Sequence, residues 1–236
     1  MTECGYDAIV ARIEANSIHR PTVVRELMRG KSVLRATFNS RIDGTPIYGD
    51  VLDLGARNRS SSYYRFLDSS RANKITFCDY EPKDEGMVQV DLEKPLPFPD
   101  KSYDVVMLLF VLGHIWNVLP LIREMRRVSR GSVLIGTNFV DQFTPEPHDY
   151  MRFTSEGLDR LFHEAGSVRH KVFSVGQGPL TLALSSVQHT RLCPVAATLY
   201  YPFACVVDAL IARAMPQRTE QRCVMTHIGV LDCRGE

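Results

Sequence analysis

Residues 51–59 read VLDLGARNR, an apolar run that carries an acid at Asp53 and stops at Gly55. This pattern predicts a buried strand that ends at a tight turn. A loop that cradles phosphate has further glycines at the next alternate positions, where backbone N–H groups approach the anion. Arg57 and Arg59 occupy those positions here. The turn therefore predicts a ligand other than a polyphosphate.

Strand and helix patterns alternate along the rest of the chain. Helical patterns are YYRFLDSS, VLPLIREMRRVSRG and TSEGLDRLFHEAG, and strand patterns are ITFCDYEP, MVQVDLEKPLPFPD, SYDVVMLLFVLGHI, SVLIGTNFV, VRHKVFSVGQ and CVMTHIGVLDC. The alternation predicts an α/β fold with a doubly wound, mostly parallel seven-stranded sheet. In such a sheet, ligands lie beyond the carboxyl ends of the strands.

The two ends of the chain are predicted to add helices to this sheet. Residues 1–48 form an N-terminal helical extension, with two short helices within 6–30, that covers the cleft as a lid. Residues 49–236 form the domain that carries the sheet. Within it, residues 192–215 form an apolar helical insertion before the last strand.

The apolar insertion is interrupted by prolines and charges, so a membrane-spanning helix is not expected. A buried or dimer-forming helix pair is the favoured interpretation, and contact with a membrane surface is the alternative. The interrupting residues are Pro194, Pro202, Asp208 and Arg213.

Composition excludes several classes of protein. The net charge of +1 argues against a surface that wraps nucleic acid. The six cysteines form no CxxC pair, which disfavours a metal site or a disulfide framework. The first residues, MTECGYDAIVARIEAN, contain early acids and no long apolar core, so no secretory signal is expected. A cytoplasmic protein with reduced thiols is predicted.

Three acids, Asp53, Asp79 and Asp91, stand at or near the ends of successive predicted strands. A carboxylate there can accept hydrogen bonds from ribose hydroxyls, an adenine amino group or an ammonium. Three carboxylates suit a nucleoside with a neutral or positive tail, because they would repel a polyphosphate. The alternative is that each acid only caps a turn or helix.

The segments VLDLGA, CDYEP, VDLEKPLPFPDKSYDVVMLLFVLGHI and LIREMRRVSRGSVLIGT resemble the class I S-adenosylmethionine-dependent methyltransferases, in particular their small-molecule branch. The segment PHDYMRFTSEGLDRLFHEAG resembles a subgroup that accompanies sugar and polysaccharide pathways. The resemblance covers residues 50 to about 175. It implies S-adenosylmethionine as cofactor and methyl transfer to a hydroxyl of a small molecule, sugar or glycan, in a biosynthetic pathway.

The resemblance also implies roles for individual residues. Asp53 and Gly55 would lie under the methionine part, Asp79 would hold the ribose hydroxyls, and Asp91 would accept from the adenine amino group. Phe110 would border the sulfonium. The full set of cofactor-binding residues expected is Asp53, Gly55, Ala56, Asp79, Tyr80, Asp91, Leu92 and Phe110.

The chain departs from the family pattern at three positions. Arg57 and Arg59 replace the second and third glycines, and Gly113 replaces the acid usual before the histidine that follows the fourth strand. Arg57 is predicted either to contact an anion of the substrate or to be a solvated turn residue.

Methyl transfer to a hydroxyl needs a group that removes a proton, and histidine suits that work near neutral pH. His148 is one candidate base, with Asp149 to orient it and with Tyr150 and Arg152 as donors to an oxygen-rich acceptor. His114 is the other. The alternatives are an Asp149–Arg152 ion pair that only shapes the loop, and a His114 that packs at a helix start.

No metal is expected, because the spacing of Asp141 and Asp149 is not typical of a metal site. RNA is disfavoured as an acceptor, because LLFV stands where an NPPY-like tetrad would hold a base. The alternatives to O-methyl transfer are an inactive methyltransferase-fold scaffold and an N-methyltransferase. A nicotinamide-dependent reductase would need the glycine-rich turn. A homodimer is compatible with the apolar insertion.

Overall fold

The computed structural model describes residues 5–144, 148–187, 194–214 and 223–234. Its strands form one sheet in the order β3-β2-β1-β4-β5-β7-β6. The strands are β1 (Thr45–Leu54), β2 (Leu67–Asp79), β3 (Val88–Gln89), β4 (Tyr103–Leu109), β5 (Ser129–Asn138), β6 (His170–Gly176) and β7 (Val224–Asp232).

The sheet is parallel except at β7, which runs antiparallel to both β5 and β6. The chain winds outward from β1 to β3 and then returns to place β4 beside β1. The carboxyl ends of β1 and β4 therefore flank the switch point at which open sheets bind ligands. The predicted seven-stranded α/β sheet is confirmed, but the sheet is mixed, because β7 makes both of its pairings antiparallel.

Helices cover both faces of this sheet. α4 and α5 pack on one face, whereas α1 and α3 pack on the other. A third apolar cluster joins α2, α3 and α7. The helices are α1 (Tyr6–Ala15), α2 (Arg20–Met28), α3 (Val33–Arg41), α4 (Val118–Val128), α5 (Ser155–Glu164), α6 (Pro179–Val187) and α7 (Pro194–Ala214).

Helix α5 shows how closely local sequence can specify an element. The Thr154 side chain accepts a hydrogen bond from Gly157 N at 3.0 Å, so Thr154 is the N-cap, as expected of a threonine directly before a helix. Leu158 and Phe162, four residues apart, are buried on one face. Gly166 follows the helix with φ +89°, a conformation that favours glycine.

Four elements differ from the sequence-based expectation. Helix α3 lies in a stretch that was not predicted to be helical. β2 begins inside the predicted helix YYRFLDSS, because pairing of Leu67 with Thr45 of β1 leaves only a 3-10 turn at Ser62–Arg65. β3 is limited to Val88–Gln89, where the ladder with β2 ends. α7 is a single helix that contains Pro202 rather than a helix pair.

Candidate functional site

Asp53 lies at the carboxyl end of β1 and is fully buried. Its Oδ2 accepts a hydrogen bond from the Tyr63 hydroxyl at 2.7 Å and a second one from the Tyr64 hydroxyl. Among the described residues, no donor contacts the buried Oδ1. Burial raises the pKa of Asp53 to about 6, although the two tyrosine hydroxyls oppose the rise. One acceptor atom is thus left for a ligand.

The turn after β1 is held together without the usual glycines. A Cβ on Gly55, which has φ +71°, would lie 2.5 Å from the Val111 side chain, so this position requires glycine. Arg57 adopts a left-handed φ of 54° and its N–H donates to Asp79 Oδ2 at 2.7 Å. Arg59 N–H donates to Asp84 at 2.8 Å. These contacts use the backbones of both arginines and tie the turn to the end of β2.

The other two strand-end acids lie farther along the same edge. Asp79 Oδ1 accepts from Glu81 N at 3.0 Å, and the Tyr80 ring beside it is exposed. Asp91 accepts from Glu93 N at 3.0 Å and pairs with Lys94 at 3.1 Å. These contacts lower the pKa of Asp91. The remaining predicted cofactor residues, Ala56 and Leu92, are buried beside these acids in sequence.

Phe110 follows β4 in a left-handed conformation with φ 67°, which is uncommon for an aromatic residue. Its N–H donates to Gly136 O at 2.7 Å, and its ring meets Phe38 edge-on. The Arg35 guanidinium lies 3.7 Å from the centre of the Phe110 ring. Burial lowers the pKa of Arg35 to about 10. The cation therefore stays charged at neutral pH beside the carboxyl end of β4.

Sequence reasoning missed Arg35, Tyr63 and Tyr64. Arg35 reaches the site only because α3 packs on the sheet. The two tyrosines reach Asp53 only because the connection after β1 folds back as a 3-10 turn. No local motif signals either approach.

Residues 148–152 dock onto the turn after β4. The N–H groups of Tyr150 and Met151 donate to the Gly113 carbonyl at 2.9 and 3.3 Å, and His114 Nδ1 bonds the His148 carbonyl. A Cβ on Gly113 would lie 2.8 Å from the Met151 carbonyl oxygen. Close docking of this segment therefore explains glycine at this position, where the methyltransferases that the sequence resembles have an acid.

Asp149 and Arg152 form a two-pronged ion pair, with Nη2–Oδ2 at 2.6 Å. Thr144 N also donates to Asp149, at 3.0 Å. Arg152 holds the pKa of Asp149 down at about 2. The hydrogen bonds described for this carboxylate go to Arg152 and Thr144, and the expected orienting bond to His148 is not among them. We call the Asp149–Arg152 ion pair the clasp, because it holds residues 148–152 in place.

An aromatic surface lies beside the two candidate bases. The His148 ring stacks on Tyr150 with centroids 5.2 Å apart, and Trp116 meets Tyr150 edge-on at 5.5 Å. Trp116 and Tyr150 are 64% and 43% exposed. An apolar face with a few polar groups is typical of small-molecule sites.

Asp141 has partners within its own loop. Its carboxylate accepts from Asn138 Nδ2 at 2.5 Å and from Gln142 N at 2.8 Å. The described part of the chain contains no group of three His, Cys, Asp or Glu side chains that could hold a metal ion.

Comparison with known proteins finds a family profile that matches part of the chain. Residues 57–135 match the sequence profile of a family described as "Methyltransferase domain". This stretch is therefore similar to methyltransferase domains over about a third of the chain. A crystal structure of an S-adenosylmethionine-dependent methyltransferase from Archaeoglobus fulgidus shares the fold of this domain, with a TM-score of 0.50 over 91% of this chain and 94% of that chain, at 13% identity.

Two Mycobacterium tuberculosis proteins, each named a probable S-adenosylmethionine-dependent methyltransferase, are 29% identical to this chain over 149 residues. The match covers 55% of this chain and 53% of each relative. The chain therefore spans about half the length of these curated relatives.

S-adenosylmethionine is the cofactor of this family, and the residues at the strand ends fit it. Asp53 Oδ1 is a buried acceptor without a described partner. Asp79 and Asp91 are only partly buried, and a carboxylate oxygen can accept more than one hydrogen bond. Three acids also suit a ligand that carries sulfonium and ammonium charges.

Proposed function

We propose that this protein transfers the methyl group of S-adenosylmethionine to a hydroxyl of a small molecule, sugar or glycan. The observation that carries the proposal is the Asp53 carboxylate, buried at the switch point with one oxygen free of described partners. A buried acceptor of this kind costs stability unless a ligand uses it. A cationic ligand that contacts the free oxygen of Asp53 would remove this cost.

The strand-end residues would hold the cofactor in one orientation. Asp53 and the Gly55 backbone lie under the methionine part, Asp79 accepts from the ribose hydroxyls, and Asp91 accepts from the adenine amino group. Tyr80 offers an exposed ring next to Asp79 for the base. Phe110 closes the methionine end of the site.

The cofactor supplies an electrophilic methyl group on a sulfonium. The protein must place the acceptor oxygen in line with that group and take the hydroxyl proton. His148 is the preferred base, because its ring belongs to the exposed aromatic surface with Tyr150 and Trp116. That surface supports a sugar as acceptor, because a sugar ring packs its C–H faces on aromatic rings. His114 is the alternative base.

The clasp supports this arrangement. Asp149 and Arg152 fix the backbone on which His148 and Tyr150 stand, and His114 bonds the His148 carbonyl. Asp149 and Arg152 are therefore positioning residues. Arg35 offers a charged group for a carboxylate or phosphate near Phe110.

The proposal is tested by incubating the purified protein and S-adenosylmethionine with a panel of sugars, glycans, phenols and amines. We expect a product with one added methyl group from a hydroxyl-bearing acceptor, with the O–CH₃ carbon identified by NMR. His148→Ala should slow formation of the product by about 10²- to 10⁴-fold, and His163→Ala, at an exposed histidine on α5, is the matched control. An N–CH₃ product would replace the proposal with N-methyl transfer.

A second candidate is a methyltransferase-fold protein that transfers no methyl group and serves as a binding or scaffolding subunit for another protein. The observation that favours it is Asp79, whose two oxygens accept N–H groups of Arg57 and Glu81 from its own chain. Competition from these bonds would weaken a ribose contact. Absence of S-adenosylhomocysteine binding in folded protein would favour the scaffold.

A further inference from the structure

Helix α7 presents a broad apolar face to solvent. Leu199 is 74% exposed, and Phe203, Val206 and Leu210 are each close to 60% exposed. At about 100° per residue the exposed positions cover about half of the helix circumference. The exposed apolar positions are Ala196, Leu199, Tyr200, Pro202, Phe203, Val206, Ala209, Leu210 and, at the helix end, Ala214.

The opposite side of α7 is fixed to the body of the protein. Tyr201 and Cys205 pack in a cluster with α2 and α3. Asp208 is buried and accepts from Leu180 N and Thr181 N at the start of α6, at 2.8 and 3.0 Å. The exposed face therefore belongs to a well-anchored helix. Continuous apolar surface of this kind marks a contact with another molecule or with lipid.

The charges around the face have one sign. The two acids of α2 and α7, Glu26 and Asp208, are buried. The arginines of the same two helices are exposed or partly exposed and point to an anionic partner. Those arginines are Arg20 and Arg25 on α2 and Arg213 on α7; Arg29, which follows α2, pairs with Glu26 at 3.0 Å.

The arginines of α2 lie beside α7 because the two helices pack together through Val23, Leu27, Tyr201 and Cys205. The Arg20 charge opposes the rise that burial causes in the pKa of Tyr201 and in that of Cys205. Arg20, which is exposed at the start of α2, is thus close to α7. The apolar face has a cationic flank.

We propose that α7 docks on a membrane surface that contains anionic lipid, with the helix lying in the interface plane. Apolar side chains enter the boundary between headgroups and acyl chains, and the arginines contact lipid phosphates. The stretch Ala196–Ala214 is also long and apolar enough to cross a membrane by length and composition alone. The burial of one side against α2 and α3 favours docking in the plane.

The same charges disfavour a second copy of this chain as the occupant. A two-fold interface pairs each patch with itself. It would bring the cationic flanks of two protomers together, and the described residues of α2 and α7 expose no acid to pair with them.

The test is flotation of the full chain with phosphatidylcholine vesicles, with or without phosphatidylglycerol. We expect the protein to float with the anionic vesicles and to be released by high salt, because exposed charges are screened. Leu199→Ser/Phe203→Ser/Leu210→Ser should lower the partition coefficient about tenfold or more, because three exposed anchors lose apolar area. Arg20→Gln/Arg25→Gln should lower it only for anionic vesicles.

Val168→Ser is the matched control, because Val168 is 89% exposed and lies outside α7. Thermal unfolding of each variant establishes that it is folded. Failure of the folded wild-type chain to float with anionic vesicles would overturn the proposal, as would equal flotation of the triple variant. A dimer in solution that the triple variant turns into a monomer, without vesicle binding by the wild type, would assign the face to a second copy instead.

Discussion

Asp53 and Asp149 are buried carboxylates on the same edge of the sheet, and their surroundings are opposite. Asp149 takes hydrogen bonds on both oxygens from Arg152 and Thr144, and its pKa falls to about 2. Asp53 meets two tyrosine hydroxyls on one oxygen only, and its pKa rises to about 6. A carboxylate whose partners come from the protein holds a segment in place. The Asp53 carboxylate has one oxygen without a described partner, and we propose that this oxygen binds the ligand.

The largest expected effect lies on the segment that the Asp149 clasp holds. His148→Ala should lower kcat by about 10²- to 10⁴-fold, because a general base is lost, while affinity for S-adenosylhomocysteine stays within about twofold. Turnover is measured with the acceptor found in the panel. If His148→Ala is active and His114→Ala is not, His114 is the base. The Asp149–Arg152 ion pair then only holds the segment whose His148 carbonyl bonds the His114 ring.

Removing each carboxylate charge should change stability in opposite directions. Asp149→Asn should lower the free energy of unfolding at neutral pH by about 2 kcal/mol, the value of a pKa shift of this size, since the ion pair with Arg152 is lost. Asp53→Asn should raise it by about 1 kcal/mol, because a buried charge is removed but the new amide N–H₂ is left without an acceptor. Urea unfolding measures both; a loss of stability in both variants would contradict the comparison.

The pH dependence should separate the two groups. An unfolded Asp titrates near pH 4. Asp149, with its lowered pKa, contributes stability above that pH and loses it as pH falls from about 4 to about 2. Asp53, with its raised pKa, binds its proton more tightly in the folded state, so its contribution to stability falls as pH rises from about 4 to about 6.

The measurement is the free energy of unfolding of the wild type and of each variant between about pH 2 and about pH 6. The difference between the two values at each pH gives the contribution of the substituted carboxylate. Asp53→Asn should remove only the upper step and Asp149→Asn only the lower step. A single shared step would mean that the two carboxylates have similar surroundings.

Gly113→Ala tests the docking of the clasp segment and should have the smallest effect. The added Cβ would lie 2.8 Å from the Met151 carbonyl, so the segment must shift, at a cost of about 1 to 2 kcal/mol. Thermal unfolding measures that loss, and kcat should fall with it. Unchanged stability together with unchanged kcat would show that the segment does not need this contact.

The sequence predicted what depends on local pattern. The seven-stranded sheet follows from alternation of elements, and the Thr154 cap of α5 follows from residue type at a helix start. It did not predict α3, the early start of β2 or the single helix α7, because pairing and packing with distant residues decide them.

The same division holds at the site. The strand-end positions of Asp53 and Asp79 were predicted from the edge rule of parallel sheets. The partners of those acids were not, since Tyr63 and the Arg57 backbone reach them only through the folded connection between β1 and β2. The approach of Arg35 to Phe110 likewise depends on how a helix packs on the sheet.

Calorimetric titration with S-adenosylhomocysteine tests the central claim most directly, with NADPH as control ligand. The account predicts micromolar binding to the wild type and no binding of NADPH. Asp79→Asn should weaken binding by about 10- to 100-fold, because hydrogen bonds to a charged acceptor are lost, and Asp68→Asn, at an exposed acid of β2, should bind as the wild type does. Absence of binding by folded wild-type protein, or unchanged affinity in Asp79→Asn, would contradict the account.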